Sequence, residues 1–229
     1  MTSLIIPGRF NGPPGSANGG YCCGAVAGAL GLGDGEAATV TLRSPPPLDT
    51  PMRVEPDGDG IRVVSGSTLV AEAHRSELDL TVPEAVSFAE ASRAQILPAE
   101  HPFPGCFVCG PDHESGLRIF VGRVPGRKMH AGPWIPDPDL ADNGAIARPV
   151  VWASLDCPGG WVRGRDRALL GRLEAVVRSA PAPGDRCVAM AWLIDEPSER
   201  RWIAGTALYG ENGVLHGAAR ATWVVPRPA

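Results

Sequence analysis

The sequence predicts an α+β fold in which a buried helix followed by an antiparallel meander occurs twice. Three observations carry that prediction. First, Leu42-Arg43-Ser44-Pro45-Pro46-Pro47 recurs as Val177-Arg178-Ser179-Ala180-Pro181-Ala182-Pro183, and Leu69-Val70-Ala71-Glu72-Ala73-His74-Arg75 recurs as Val214-Leu215-His216-Gly217-Ala218-Ala219-Arg220. The offset grows from 135 to 145 residues between the two matches, as it should if the second copy carries a longer hairpin. Second, each block follows an apolar segment rich in small residues. Third, the β-type stretches are joined by short turns such as Asp57-Gly58-Asp59-Gly60 and Glu211-Asn212-Gly213, too short for parallel crossovers.

The elements can be justified in order. Gly20 to Leu32 has no polar face, which marks a buried helix. Asn18 is a suitable N-cap, and Gly31 to Gly35 end the segment. Gly24 and Gly28 inside it each cost about 1 kcal/mol relative to Ala and call for a packing reason. Strands are expected at Ala37–Leu42, Met52–Glu55, Ile61–Ser65 and Thr68–Leu80. Residues 81–105 form a connector with a short helix over Glu84–Ala94. In the second half Leu117–Val124 reads as a strand and Pro133–Asn143 as an irregular loop. Pro149–Cys157 reads as the second helix, with Pro in the favoured first turn. Leu169–Val177, Arg186–Ile194, Arg201–Leu208 and Val214–Val225 complete the strands. The halves divide as 1–95 and 96–229.

Composition narrows the class of function. The chain has 229 residues, 44% of them hydrophobic and six of them Trp, enough for a sizeable core. The 29 Gly and 24 Pro punctuate apolar runs instead of forming tracts. A net charge of −4 argues against a nucleic-acid partner, although two or three local Arg could still hold a phosphorylated small ligand. No run of 18 apolar residues exists to span a membrane, and the first residues lack the basic and apolar regions of a signal peptide. The expectation is a cytoplasmic protein whose six Cys are reduced.

Asn18-Gly19-Gly20 at the head of a small-residue helix, followed by a Pro-rich strand entry, resembles the hotdog-fold thioesterases. Phe103-Pro104-Gly105-Cys106-Phe107-Val108-Cys109-Gly110 before Gly116-Leu117, and Trp152-Ala153-Ser154-Leu155-Asp156 later, are similar to single-domain members. The resemblance covers nearly the whole chain as a tandem, or double, hotdog. It implies two antiparallel sheets, each wrapped around a central helix, forming a pseudo-dimer. It also implies a site that pairs the helix start of one unit with a carboxylate on the helix of the other. The implied substrate is an acyl-CoA or acyl-carrier-protein thioester, with no cofactor, and the chain stands alone or pairs as a homodimer.

The two copies are uneven. Half one has Gly19 and Gly20 but places Ala27 where the acid would be; half two has Asp156 but places Pro149 and Val150 where the glycines would be. One composite site, Gly19/Gly20 with Asp156, is therefore complete, and the other is vacant. Free N–H groups at a helix start stabilise a developing oxyanion, Gly lets an acyl group come close, and a carboxylate serves as general base or nucleophile. The catalytic candidates are Asp156, Gly19, Gly20 and Asn18. Trp152, Arg163 and Arg165 are candidates for substrate binding, with Trp161 a further one for an acyl tunnel. The competing view of Asp156 is a helix-end carboxylate bonded to an Arg, and that of Gly19/Gly20 is tight packing. Pro158, which cannot bond back to Ser154, is expected to kink the second helix and leaves the direction of Asp156 open. Cys106-x-x-Cys109 with His101 and His113 nearby has the ligand types of a zinc site, but so short a loop is cramped for four ligands, and no metal is assigned. His74 and His216 are read as strand-surface residues. The rival function is a non-catalytic acyl- or lipid-binding hotdog; a dehydratase is disfavoured because neither central helix carries a His.

Overall fold

The computed structural model describes residues 2–97, 100–164 and 167–227. β1 (Thr2–Leu4) precedes α1 (Gly19–Ala29), and the first meander follows as β2 (Ala37–Leu42), β3 (Met52–Asp57), β4 (Gly60–Ser65) and β5 (Thr68–Ser76). The linking segment holds α2 (Phe88–Ala94), β6 (Gly122–Arg123), β7 (His130–Trp134) and the small hairpin β8 (Ala141–Asp142) and β9 (Ala145–Ile146). Next come α3 (Arg148–Ser154), α4 (Cys157–Gly160) and the second meander β10 (Leu169–Val177), β11 (Cys187–Ser198), β12 (Arg201–Gly210) and β13 (Leu215–Val224). Helix then meander thus occurs twice, and the second hairpin is longer, with strands of 12 and 10 residues against 6 and 6.

The two expected sheets are one. β2 and β10 pair antiparallel, with Val40 opposite Leu173, and fuse both meanders into an 11-stranded sheet in the order β1-β3-β4-β5-β2-β10-β13-β12-β11-β7-β6. The physical reason is that β2 and β10 would otherwise both be edges with unpaired backbone groups, and pairing them satisfies both. α1 and α3 pack against each other and against the central strands, and one core of buried side chains runs through both halves.

Local chemistry explains the helix ends. The Asn18 side chain accepts the Tyr21 N–H at 2.9 Å, and α1 closes near Gly31 in the left-handed region at φ 67°. Gly24 has a packing reason, because a Cβ there would lie 2.7 Å from Pro149 Cα and from Trp152 Cβ. Gly28 has none: it is exposed, and nothing lies within 4 Å of its missing Cβ. The connector helix is shorter than expected because Ser87 caps it, its side chain and backbone exchanging hydrogen bonds with Glu90.

Residues 117–121 join no strand: Leu117 and Ile119 donate to the carbonyls of the Phe107–Val108 loop, and Arg118 between them is exposed in the left-handed region at φ 53°. The Pro133–Asn143 loop is more ordered than its composition suggests, with β7 reaching Trp134 and a 3-10 turn at Pro138–Leu140. The second helix breaks before its expected end. Asp156 stands between α3 and α4 with φ −88° and ψ −84°. The freed carbonyls find side-chain donors on β12: Thr206 Oγ1 donates to Leu155 O at 2.6 Å and Trp202 Nε1 to Gly159 O at 3.0 Å. Pro158 is tolerated because the break puts it in the first turn of α4, where its missing N–H costs no helical bond.

Candidate active site

α1 begins beside the break between α3 and α4, and that juxtaposition brings Asn18, Gly20 and Asp156 together. Gly20 N–H donates to Asp156 Oδ2 at 2.8 Å, and Asn18 Nδ2 donates to the same oxygen at 3.0 Å. Gly20 has to be glycine here, because a Cβ would lie 2.3 Å from Asp156 Cβ and 3.0 Å from both Ala153 Cα and Trp152 O. The helical break aims Asp156 across the interface instead of along α3. No Arg neutralises it: Asp156 belongs to none of the ion pairs among the described residues.

The carboxyl group is 2% exposed, and its Oδ1 is buried without a hydrogen-bond partner. Burial raises its pKa to about 7, partly opposed by the Gly20 N–H, which favours the charged form; Cys106 pushes upward and Asn18 downward. An acid poised near neutrality beside a free oxygen is suited to taking a proton. Of the first N–H groups of α1, Gly20 serves Asp156 and Tyr21 serves Asn18, while Gly19 N–H has no partner among the described residues.

Asn18, Gly19 and Asp156 line a cavity of about 440 Å³. Leu42, Phe103, Trp161, Leu170 and Trp223 supply most of its apolar wall, and Arg43 stands on it with its Nε 2.7 Å from Glu72 Oε2. Cys106, Cys109 and Cys157 also line it, and the Asn18 amide lies 3.9 Å from Cys106 Sγ and 3.7 Å from Cys157 Sγ. Hydrogen bonds from the neighbouring thiols of Cys109 and Cys157 pull the Cys106 pKa down.

Two sequence candidates fall elsewhere. Trp152 is fully buried between α1 and α3, against Gly24, because helices this close leave its ring no route to the cavity. The Trp side chains that do line it are Trp161 and Trp223. Arg163 turns away, its guanidinium paired with Glu196 at 3.0 Å, donating to Glu199 O at 2.9 Å and lying 5.2 Å over the Trp202 ring. Arg165 lies outside the described residues. Of the histidines, His113 bonds Arg9 O at 2.8 Å, away from the thiols, whereas His101 lines the cavity. His216 is buried, with Nδ1 2.9 Å from Ser179 Oγ, and is not a surface residue.

At the pseudo-equivalent place Pro149 has no N–H, Val150 N–H is spent on Ala147 O at 2.8 Å, and Ala27 is buried. Sequence reasoning gives no site role to Leu42, Arg43, Phe103, Leu170, Trp223 or Cys157, which share the cavity wall, because a strand residue or a single Cys after an acid carries no chemical signal of its own.

No protein-family model matches the sequence, and no curated protein is similar to it. Solved structures do match. The fold is similar to a candidate thioesterase from Novosphingobium aromaticivorans DSM 12444 (TM-score 0.62, 14% identity, covering 98% of this chain and 95% of that one). It is similar to a candidate thioesterase II from Thermobifida fusca YX (TM-score 0.63, 13% identity, 98% and 92% covered). It is also similar to a hot dog fold protein of unknown function from Alicyclobacillus acidocaldarius (TM-score 0.56, 10% identity, 99% and 93% covered). At these identities the likeness establishes the hotdog fold, and it does so across the whole chain.

Proposed function

We propose that this protein hydrolyses an acyl thioester in the cavity between the start of α1 and the α3–α4 break. The observation that carries the reading is the Asp156 carboxyl group set against the Gly20 amide inside an apolar cavity. The acyl chain would lie along Leu42, Leu170, Trp161 and Trp223, with the thioester oxygen at the free amide of Gly19. Asp156 would take a proton from a water as that water attacks the carbonyl carbon. The tetrahedral oxyanion forms against the Gly19 amide at the positive end of α1, then collapses, and the thiolate leaves with the proton Asp156 held. Arg43, at the cavity wall, is suited to a phosphate of the carrier. The neighbouring structures named as candidate thioesterases support this reading through the shared fold.

One observation favours a second reading. Asp156 Oδ2 occupies the Gly20 N–H that a substrate carbonyl would need, as in a pocket that binds acyl groups without chemistry. Thiol release from a panel of acyl-CoA substrates separates the two. Under the hydrolytic reading the wild type turns over at least one of them, and Asp156→Asn lowers the rate by about 10²–10⁴. Equal rates for the two proteins would sink it. Tight acyl-CoA binding with no thiol release from the wild type would establish the binding reading instead.

A further inference from the structure

Cys106 and Cys109 sit on the turn after Phe103, and Cys157 opens α4, 51 residues after Cys106. Their three sulfurs all lie within 4.8 Å of one another, with Cys106 and Cys157 Sγ 3.7 Å apart. All three are buried free thiols, and all three line the cavity. Four sulfurs held tetrahedrally around a zinc ion at ~2.3 Å stand about 3.8 Å apart, so the three thiols need little movement to share one ion.

The frame is held on both sides. Cys106 N–H donates to Phe103 O at 3.0 Å and Gly110 N–H to Cys106 O at 2.8 Å, and a Cβ at Gly110 would lie 2.4 Å from Cys106 N. Cys157 is fixed by the break that places Asp156, its helix tied to β12 through Trp202. The Asn18 amide faces Cys106 and Cys157, where an N–H donor supports ligated thiolates. On the same cavity the His101 Nε2 is buried and has no hydrogen-bond partner. We propose that Cys106, Cys109 and Cys157 form a three-thiolate site for Zn²⁺ whose fourth position opens on the cavity, where water, His101 or the thiol of a ligand can complete it.

Metal uptake is independent of thioester hydrolysis, and Asp156→Asn is expected to retain it. The test is metal analysis of the full chain, followed by replacement with Co²⁺ and absorption spectroscopy. The expected result is one ion per chain, with thiolate-to-cobalt charge-transfer bands and the intense visible bands of a tetrahedral centre. Cys106→Ser, Cys109→Ser and Cys157→Ser should each weaken the charge-transfer bands by about a third, whereas Cys22→Ser and Cys187→Ser should not. Saturating Zn²⁺ should also raise the unfolding temperature of the wild type, a measurement that stands even where a serine variant does not fold. Absence of stoichiometric uptake, uptake without charge-transfer bands, bands unaffected by all three substitutions, or recovery of a Cys106–Cys157 disulfide in place of metal would each overturn the proposal.

Discussion

Gly20, Gly24 and Gly28, three of the four glycines of α1, provide a graded test of how closely α1 and α3 pack. Replacing Gly by Ala inside a helix gains about 1 kcal/mol from propensity alone. At Gly28 nothing lies within 4 Å of the new methyl group, so Gly28→Ala should stabilise by roughly that amount. At Gly24 the methyl would stand 2.7 Å from Pro149 Cα and Trp152 Cβ, about 1 Å inside the ~3.5–4.0 Å at which carbons rest. Overpacking of that kind costs about 1–3 kcal/mol, so Gly24→Ala should destabilise by up to about 2 kcal/mol net.

At Gly20 the methyl would be 2.3 Å from Asp156 Cβ and 3.0 Å from two backbone atoms of α3, which cannot rotate away. Relief there requires the helices to part, which stretches the 2.8 Å Gly20–Asp156 hydrogen bond, an interaction worth about 1.5–3 kcal/mol when charged. The net expectation is a loss of about 2–4 kcal/mol. At about 2–4 °C per kcal/mol for a chain of this size, Gly28→Ala should rise by ~3 °C in Tm and Gly20→Ala should fall by ~5–15 °C. Urea denaturation of the three variants beside wild type reads these differences directly. If Gly20→Ala and Gly28→Ala shift stability in the same direction by similar amounts, the close α1–α3 contact is refuted, and with it the placement of Asp156.

Other perturbations isolate other parts of the molecule. Arg163→Ala should leave thioester turnover unchanged while costing about 1 kcal/mol, since it removes a partly exposed ion pair and a cation–π contact away from the cavity; a large rise in KM would contradict this. Trp161→Ala should enlarge the cavity and shift preference toward bulkier acyl groups, read as kcat/KM across a chain-length series; an unaltered ranking would remove Trp161 from the acyl wall. Burial pushes the His216 pKa below its ordinary value near 6.5, so the unfolded chain takes up a proton that the native one refuses. The His216 contribution should therefore be lost as pH drops below about 6.5, as is that of His130, against an opposite contribution from Asp156, whose native carboxyl keeps its proton up to about 7. His216→Gln should tilt the pH slope of stability in the stabilising direction on the acid side, in denaturation curves of the two proteins compared from pH 7 downward. An unchanged slope would show that His216 titrates alike in both states.

How much of this was legible in advance differs from residue to residue. Asn18, Gly19, Gly20 and Asp156 could be named because a helix start without side chains and a lone acid in an apolar segment are local signals. The direction of Asp156 could not, because Pro158 forbids the regular helix and the replacement bonds come from Thr206 and Trp202 on a strand about 50 residues later. Trp152 was misplaced for a related reason: an aromatic near the acid can face the cavity or the opposite helix, and only the closeness of Gly24 decides. Cys106 and Cys109 stood out as a pair, yet the partner that gives them meaning, Cys157, is remote in sequence.

The sequence by itself determined the repeated helix-and-meander order, the unevenness of the two halves and which residues, Asn18, Gly20 and Asp156, stand out at the helix start and the helix opposite it. Those follow from hydrophobic period, turn chemistry and the presence or absence of an acid or an N–H, all properties of a residue and its near neighbours. Only the tertiary structure decided that the two sheets are one, that the second helix breaks to turn Asp156 onto Gly20, and that three distant thiols converge beside it. Each of these depends on groups far apart in the chain, a partner strand, a side-chain donor or a third thiol, that no local pattern of residues announces.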